Sequence, residues 1–127
     1  MDAFQFVDSL GGVDVLVNSA GIGGSSGLLD YNQPLTAVSK IIDVNLTGVI
    51  SCTQQAFKSM NTRDAYGYIV NINSILGHKI PRLKKMHYSS YPATKFAITA
   101  LSETVQQELA NMKNGKVRVT VRLNKKN

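Results

Sequence analysis

Val13 to Asn18 reads Val-Asp-Val-Leu-Val-Asn, a short and almost uninterrupted apolar run that ends at a stretch too rich in glycine for any regular element. A run of this length and composition is the pattern of a strand covered on both faces, as strands of a parallel sheet are. A parallel neighbour can be reached only by a crossover, usually a helix. The next segment supplies one: from Pro34 the residues Leu35, Val38, Ile41, Ile42, Leu46, Val49, Ile50, Phe57 and Met60 recur at helical intervals, with Pro34 suited to the first turn. Gly67 to Asn73 then reads as a second strand, Ser74 to Ser90 as a long connection, and Tyr91 to Met112 as a second helix. That helix carries Phe96, Ala97, Ala100, Leu101, Val105 and Leu109 as its apolar face; Ser89 or Ser90 caps its start and Asn114-Gly115 ends it. Val117, Val119, Val121 and Leu123 alternate with polar residues as a third strand. Strand, helix, strand, helix, strand means two right-handed crossovers and an α/β fold with a parallel sheet. Ahead of it, Ala3 to Leu10 reads as the end of a helix closed by Gly11-Gly12.

With 127 residues, 43% apolar and 17% charged, the chain has room for one domain, residues 1–127, and no internal repeat or second boundary interrupts it. No apolar run approaches the length of a membrane span, and Met1-Asp2-Ala3-Phe4 has no signal-type character, so a cytoplasmic compartment and no membrane partner are expected. Cys52, the one cysteine, reads as a structural thiol. The net charge of +6 raises the question of nucleic acid. The excess lies in two clusters: Lys79, Arg82, Lys84 and Lys85 before Tyr91, and Lys113, Lys116, Arg118, Arg122, Lys125 and Lys126 near the C-terminal end without a compensating acid. Neither interleaves aromatic residues as a stacking platform does, so solvated loop and tail is the reading and no nucleic-acid partner is expected.

Chemistry concentrates in Ser89 to Lys95, Ser-Ser-Tyr-Pro-Ala-Thr-Lys. Four residues apart on a helix, Tyr91 and Lys95 share a face, where an ammonium favours the ionised form of a neighbouring phenol. Three further features stand at definite positions: Leu16 to Gly21 reads Leu-Val-Asn-Ser-Ala-Gly, Asp43 to Asn45 reads Asp-Val-Asn inside the first helix, and Ser74 closes the strand Tyr-Ile-Val-Asn-Ile-Asn. In order and separation these resemble the central part of the short-chain dehydrogenase/reductase family, nearest to its animal and insect group with farnesol-dehydrogenase-like members. The likeness runs from about Val13 to Thr120.

The resemblance implies a partial Rossmann-like, doubly wound parallel sheet and an NAD(P)-dependent oxidoreductase acting on a small alcohol or carbonyl. It implies Tyr91 as general acid/base and, with Lys95, as a cofactor-binding residue, Lys95 as the residue that tunes Tyr91 and holds the nicotinamide ribose, and Ser74 as the partner of the substrate oxygen. Asn45 would disturb its helix and hold a proton-relaying water. Asn18, Ala20 and Gly21 would stabilise the sheet and border the cofactor, Ser19 standing where the family has a second Asn. The cofactor implied is NAD(P), NADP ahead of NAD, where its site is completed; no metal is expected. Yet no strand-glycine-helix opening for the diphosphate occurs in the sequence, Gly21 to Gly27 does not replace it, and no Pro-Gly turn follows Arg118 to Val121. The chain therefore reads as a catalytic half, a fragment or short form of a dehydrogenase whose own activity is doubtful, with Val13 to Asn18 left as a sheet edge. The alternative is a non-catalytic partner that pairs with itself or a full-length relative through its two long helices.

Overall fold

The computed structural model describes residues 3–82 and 87–123; Met1, Asp2, Lys84, Lys85, Lys125 and Lys126, named above, lie outside the described residues. Three strands, β1 (Val15–Asn18), β2 (Gly67–Asn73) and β3 (Val117–Leu123), form one parallel sheet in the order β1-β2-β3. Val15 stands opposite Tyr68, and Gly67 opposite Val117, so β2 is the central strand. Helix α1 (Ala3–Ser9) precedes β1; α2 (Leu35–Ile42) and α3 (Gly48–Thr62) form the first crossover and α4 (Tyr91–Asn111) the second.

β1 begins two residues later than the apolar run. The Val13 amide donates to Ser59 Oγ at 3.1 Å, and its carbonyl accepts from the Arg63 guanidinium, so side chains from the end of α3 take both backbone groups and Val13 joins the core instead of the ladder. Gly12 makes room for that guanidinium: at φ +94° it also adopts a backbone conformation that a side chain disfavours.

Both crossovers are right-handed in principle and so bring their helices to the same side of the sheet. There Val13, Ala56, Met60, Ile69, Leu109, Val117 and Val119 form the buried core, with Phe4, Val7, Leu16, Phe57 and Val105 packed around it. The expectation that β1 is covered on both faces is corrected accordingly. Leu16 turns to the helices, whereas Val15 and Val17 are 61% and 53% exposed on the opposite face, and among the described residues β1 has one strand neighbour only.

The inward face of α4 also differs from its apolar stripe. Phe96 and Ala100 are exposed, while Thr94, Lys95, Ile98, Ser102 and Leu109 are buried. Half of this face is polar because the central strand answers it with polar side chains: Asn71 Nδ2 donates to Ser102 Oγ at 2.8 Å, and Asn73 Nδ2 to Thr99 Oγ1 at 3.0 Å. A helix-periodicity argument looks for the apolar side and misses a buried side that is satisfied by hydrogen bonds.

Both ends of α4 need correction too. Ser90 occupies the N-cap position, but its hydroxyl makes no capping bond. The terminator is Lys113, at φ +54°, with its amide on Ala110 O and the next amide, Asn114, on Leu109 O, rather than Asn114-Gly115. Lys116, counted among the uncompensated charges, is paired with Asp64 at 2.5 Å. Finally, α2 and α3 run together as 28 residues, Leu35–Thr62, long and apolar enough by length and composition to cross a bilayer, which no single apolar run had suggested. Its buried residues Ile41, Val49, Ala56 and Met60, however, lie along one side, as in the core helix of an α/β layer.

Candidate active site at the first turn of α4

The seam between α2 and α3 is a π-helical turn, Asp43–Thr47, in which the Gly48 amide bonds back to the Asp43 carbonyl, five residues earlier. Such a turn carries one extra residue and swings its side chains out of helical register. Asn45, at its centre, is 1% exposed. Its Oδ1 accepts from the Ile22 amide at 2.8 Å, and its Nδ2 donates to the Ile22 carbonyl at 2.8 Å and to Thr94 Oγ1 at 3.1 Å. Thr94 Oγ1 in turn donates to the Tyr91 carbonyl at 2.7 Å. The disturbed helix thus ties the loop after β1 to the turn of α4 that carries Tyr91.

Lys95, one turn on from Tyr91, is 6% exposed. Its Nζ donates to the Ile72 carbonyl at 3.2 Å and lies 5.6 Å from the centroid of the Tyr91 ring. The amine thus stands over the ring, within cation–π range, held by the end of β2. Burial lowers the pKa of this amine from its ordinary value of 10.5, because removing water penalises the charged form. Gly21 lies over the same spot: a Cβ there would stand 3.7 Å from Lys95 Nζ and 3.6 Å from Asn45 Oδ1. Three segments distant in sequence, at Gly21, Asn45 and Lys95, therefore converge.

Ser74 follows β2 directly. Its Oγ accepts from the Leu76 amide at 3.2 Å and caps a single 3-10 turn, Ile75–Gly77, that packs against the start of α4. Asn18, at the end of β1, faces the helices. Its Nδ2 donates to Asn71 Oδ1 at 2.8 Å and to Thr53 Oγ1 at 3.3 Å, cross-linking β1 to β2 and α3 beneath the sheet. Ala20 and Gly21 are exposed on the loop. His78 is exposed beyond the 3-10 turn. Asn45, Gly21, Tyr91 and Lys95 are thus joined by contacts, Ser74 adjoins them through its turn, Asn18 supports the sheet, and Ala20 makes no hydrogen bond that binds it to the cluster among the described residues.

Sequence reasoning passed over Thr94, Asn73 and Thr99, all of which bond to this cluster. One signal was present: Asn71 and Asn73 alternate on the face of β2 that turns to the helices, and Lys95 and Thr99 are one helical turn apart. A groove of about 960 Å³ opens beside the cluster, on the outer side of α4 between Leu28, Leu29, Ile80, Tyr88, Pro92 and Phe96. None of Ser74, Tyr91 or Lys95 lines it. Among the described residues no group of three or more His, Cys, Asp or Glu stands ready to hold a metal.

The family model described as short chain dehydrogenase matches residues 2–123. The chain belongs to that family. It is 42% identical over 120 residues to a farnesol dehydrogenase of Aedes aegypti, covering 92% of this chain and 46% of that protein. Among solved structures it resembles ElxO with NADP bound, 34% identical with a TM-score of 0.72, over 92% of this chain and 44% of that one. It also resembles a 4-hydroxyisoleucine dehydrogenase complexed with NADH and succinate, 26% identical with a TM-score of 0.76, over 93% and 52%. The α/β parallel fold is therefore that of the family. The chain spans less than half the length of the curated relatives it matches, from 36% to 46% for five of them.

Proposed function

We infer that the chain carries the acid/base half of an NAD(P)-dependent oxidoreductase that moves a hydride between a nicotinamide and an alcohol or carbonyl. The observation that carries this reading is the Lys95 amine: buried, with the Ile72 carbonyl as its hydrogen-bond partner and standing over the Tyr91 ring. An ammonium has three donors, so two remain for hydroxyl groups of a ribose placed beside Gly21. The residues present fit the nicotinamide-ribose end of a dinucleotide; among the described residues no strand-glycine-helix turn cradles a diphosphate. The nicotinamide, when bound, supplies or accepts the hydride.

In the direction of reduction, Tyr91 gives its phenolic proton to the carbonyl oxygen as the hydride reaches the carbonyl carbon, which balances two electrons and one proton. In oxidation the proton returns to the phenolate. Lys95 supplies the positive charge that a phenolate needs beside it, and Ser74 Oγ donates to the substrate oxygen once it leaves the Leu76 amide. Asn45 fixes the Ile22 loop that borders the site. The named relative is a farnesol dehydrogenase, so a long-chain allylic alcohol is the first substrate to offer. NADP as the favoured cofactor finds support in the relative solved with NADP. The test is Tyr91→Phe in the full chain supplied with NADP and alcohol. Turnover falls at least about 1000-fold with unchanged cofactor binding, as for loss of a general acid/base in a bound complex; retained turnover overturns the role.

A second reading rests on Leu35, Ile42 and Phe96, apolar side chains exposed on α2 and α4, which pack side by side. Association of two chains through these helices would cover them. Sedimentation of the wild type against Phe96→Glu tests it, a shift from dimer to monomer supporting association and a monomeric wild type removing it.

A further inference from the structure

Ser74 on the end of β2 and the pair Tyr91 and Lys95 on α4 must keep a fixed separation for one substrate atom to meet all three. Among the described residues no hydrogen bond joins Ser74 to either of them; the connection runs through its neighbour. We propose that Asn73, acting with Thr99 and Gly77, is the positioning residue that holds the Ser74 turn against the Lys95 turn of α4, an inference that rests on the hydride-transfer reading above.

Asn73 is 2% exposed, the last residue of β2 and the one before Ser74. Its Nδ2 donates to the Lys95 carbonyl at 3.2 Å and to Thr99 Oγ1 at 3.0 Å. Thr99 Oγ1, its lone pair taken by Asn73, gives its own proton to the Gly77 carbonyl at 3.1 Å. Lys95 Nζ closes the ring on the other side, on the Ile72 carbonyl. Both the backbone and the amine of Lys95 are thus fixed by adjacent residues of one strand, while the same amide reaches, through Thr99, the far end of the turn that Ser74 caps.

Geometry favours asparagine here. One amide nitrogen carries two protons on a short stem, which suits a carbonyl at one helix position and a hydroxyl one turn later. Its Oδ1 is buried with no partner, a desolvation cost that an apolar side chain would avoid, so the side chain is placed for its donors. Gly77 allows the closeness. A Cβ there would lie 2.6 Å from the Lys95 carbonyl oxygen and 2.7 Å from Asn73 Nδ2, so the turn rests directly on the helix backbone.

The test reads the Lys95 amine directly, in the full chain, by NMR titration of ¹³Cε-labelled lysine with Lys95→Arg to assign the signal. Thr99→Val keeps the shape and removes the hydroxyl; Asn73→Ala removes the amide. Both are expected to move the Lys95 titration upward, toward the ordinary lysine range, by roughly 0.5 pH unit or more as the amine leaves its fixed place and water reaches it. Thr99→Ser, which keeps the hydroxyl, is expected to titrate like the wild type. Ser102→Ala, which loosens α4 one turn further on, is expected to lower stability and leave the Lys95 titration in place. If Asn73→Ala fails to fold, Thr99→Val decides alone. A folded Thr99→Val that titrates like the wild type, or a Ser102→Ala that shifts Lys95 equally, overturns the proposal. Failure of the wild type to bind NAD(P)H or turn over an alcohol would bear on the hydride-transfer reading and leave this outcome legible.

Discussion

Replacing Asn71 by alanine removes the centre of a three-residue relay that binds the middle of the sheet to α4. Asn71 Oδ1 accepts from Asn18 Nδ2, Asn71 Nδ2 donates to Ser102 Oγ, both at 2.8 Å, and Ser102 Oγ donates to the Ile98 carbonyl at 2.8 Å. Asn71 and Ser102 are 2% and 1% exposed, so no bulk water replaces what is lost. Each of the two bonds contributes about 1 kcal/mol net, and the groups left unpaired, Ser102 Oγ as acceptor and one proton of Asn18, add about 1–2 kcal/mol together, since Asn18 keeps Thr53. These sum to about 3–4 kcal/mol for Asn71→Ala, and the small cavity it leaves can only add to that. For a domain of this size that is a fall in Tm of roughly 10–20 °C. Ser102→Ala loses both bonds of its hydroxyl, the one from Asn71 and the one to Ile98, and costs about 2–3 kcal/mol. The two are in direct contact, so the double variant is expected to cost less than the sum by about 0.5–1.5 kcal/mol. Urea unfolding of the four proteins, followed by far-UV circular dichroism, measures the cycle. Additivity within about 0.3 kcal/mol, or an Asn71→Ala cost below about 1 kcal/mol, would refute the claim that polar pairing holds α4 on the sheet.

The lowered Lys95 pKa makes stability depend on pH in a definite sense. The unfolded chain binds the proton more tightly than the folded one, so the cost of the buried charge is fully present below the folded pKa and is lost as pH rises to 10.5. Measured against Lys95→Met, the wild type is expected to gain in relative urea stability over that window; a difference that stays flat up to pH 10.5 contradicts the shift. Gly12→Ala places a Cβ at φ +94° and 2.3 Å from Arg63 Nε, displacing the guanidinium from Val13 and Asp14; a loss of about 1–3 kcal/mol in urea unfolding is expected, and an unchanged midpoint argues against the arrangement. Val17→Lys places a charge on the bare face next to the free edge of β1, so light scattering should show less aggregation, with Tm changed by less than about 2 °C. A large loss of Tm would show that this face is covered.

The order of elements was legible because strands and helices differ in period. Gly67–Asn73 and Val117–Leu123 stand where the alternation puts them. The apolar run overstates β1 by two residues because Val13 is as apolar as a strand residue, and only Ser59 and Arg63, distant in sequence, divert its backbone. The inward face of α4 was illegible for a related reason. Periodicity scores side chains one at a time, whereas burial of Thr94, Lys95 and Ser102 depends on partners such as Asn45, Ile72 and Asn71 in other elements. Tyr91 and Lys95 were readable as a pair at helical spacing. What the spacing could not give is the position of the amine, over the ring and pinned to the end of β2.

A fluorescence titration of the folded 127-residue chain with reduced nicotinamide mononucleotide and with NADPH, alongside Lys95→Met, tests the central claim most directly. The half-cofactor carries the part for which Lys95 and Gly21 are placed and omits the adenosine end, for which the described residues offer no diphosphate cradle. Saturable binding of both, with affinities within about threefold of each other (a difference of about 0.7 kcal/mol) and at least about tenfold weaker in Lys95→Met, is the predicted result. A chain that is folded by circular dichroism and shows no saturable change with either, or binds both equally well without Lys95, would contradict it.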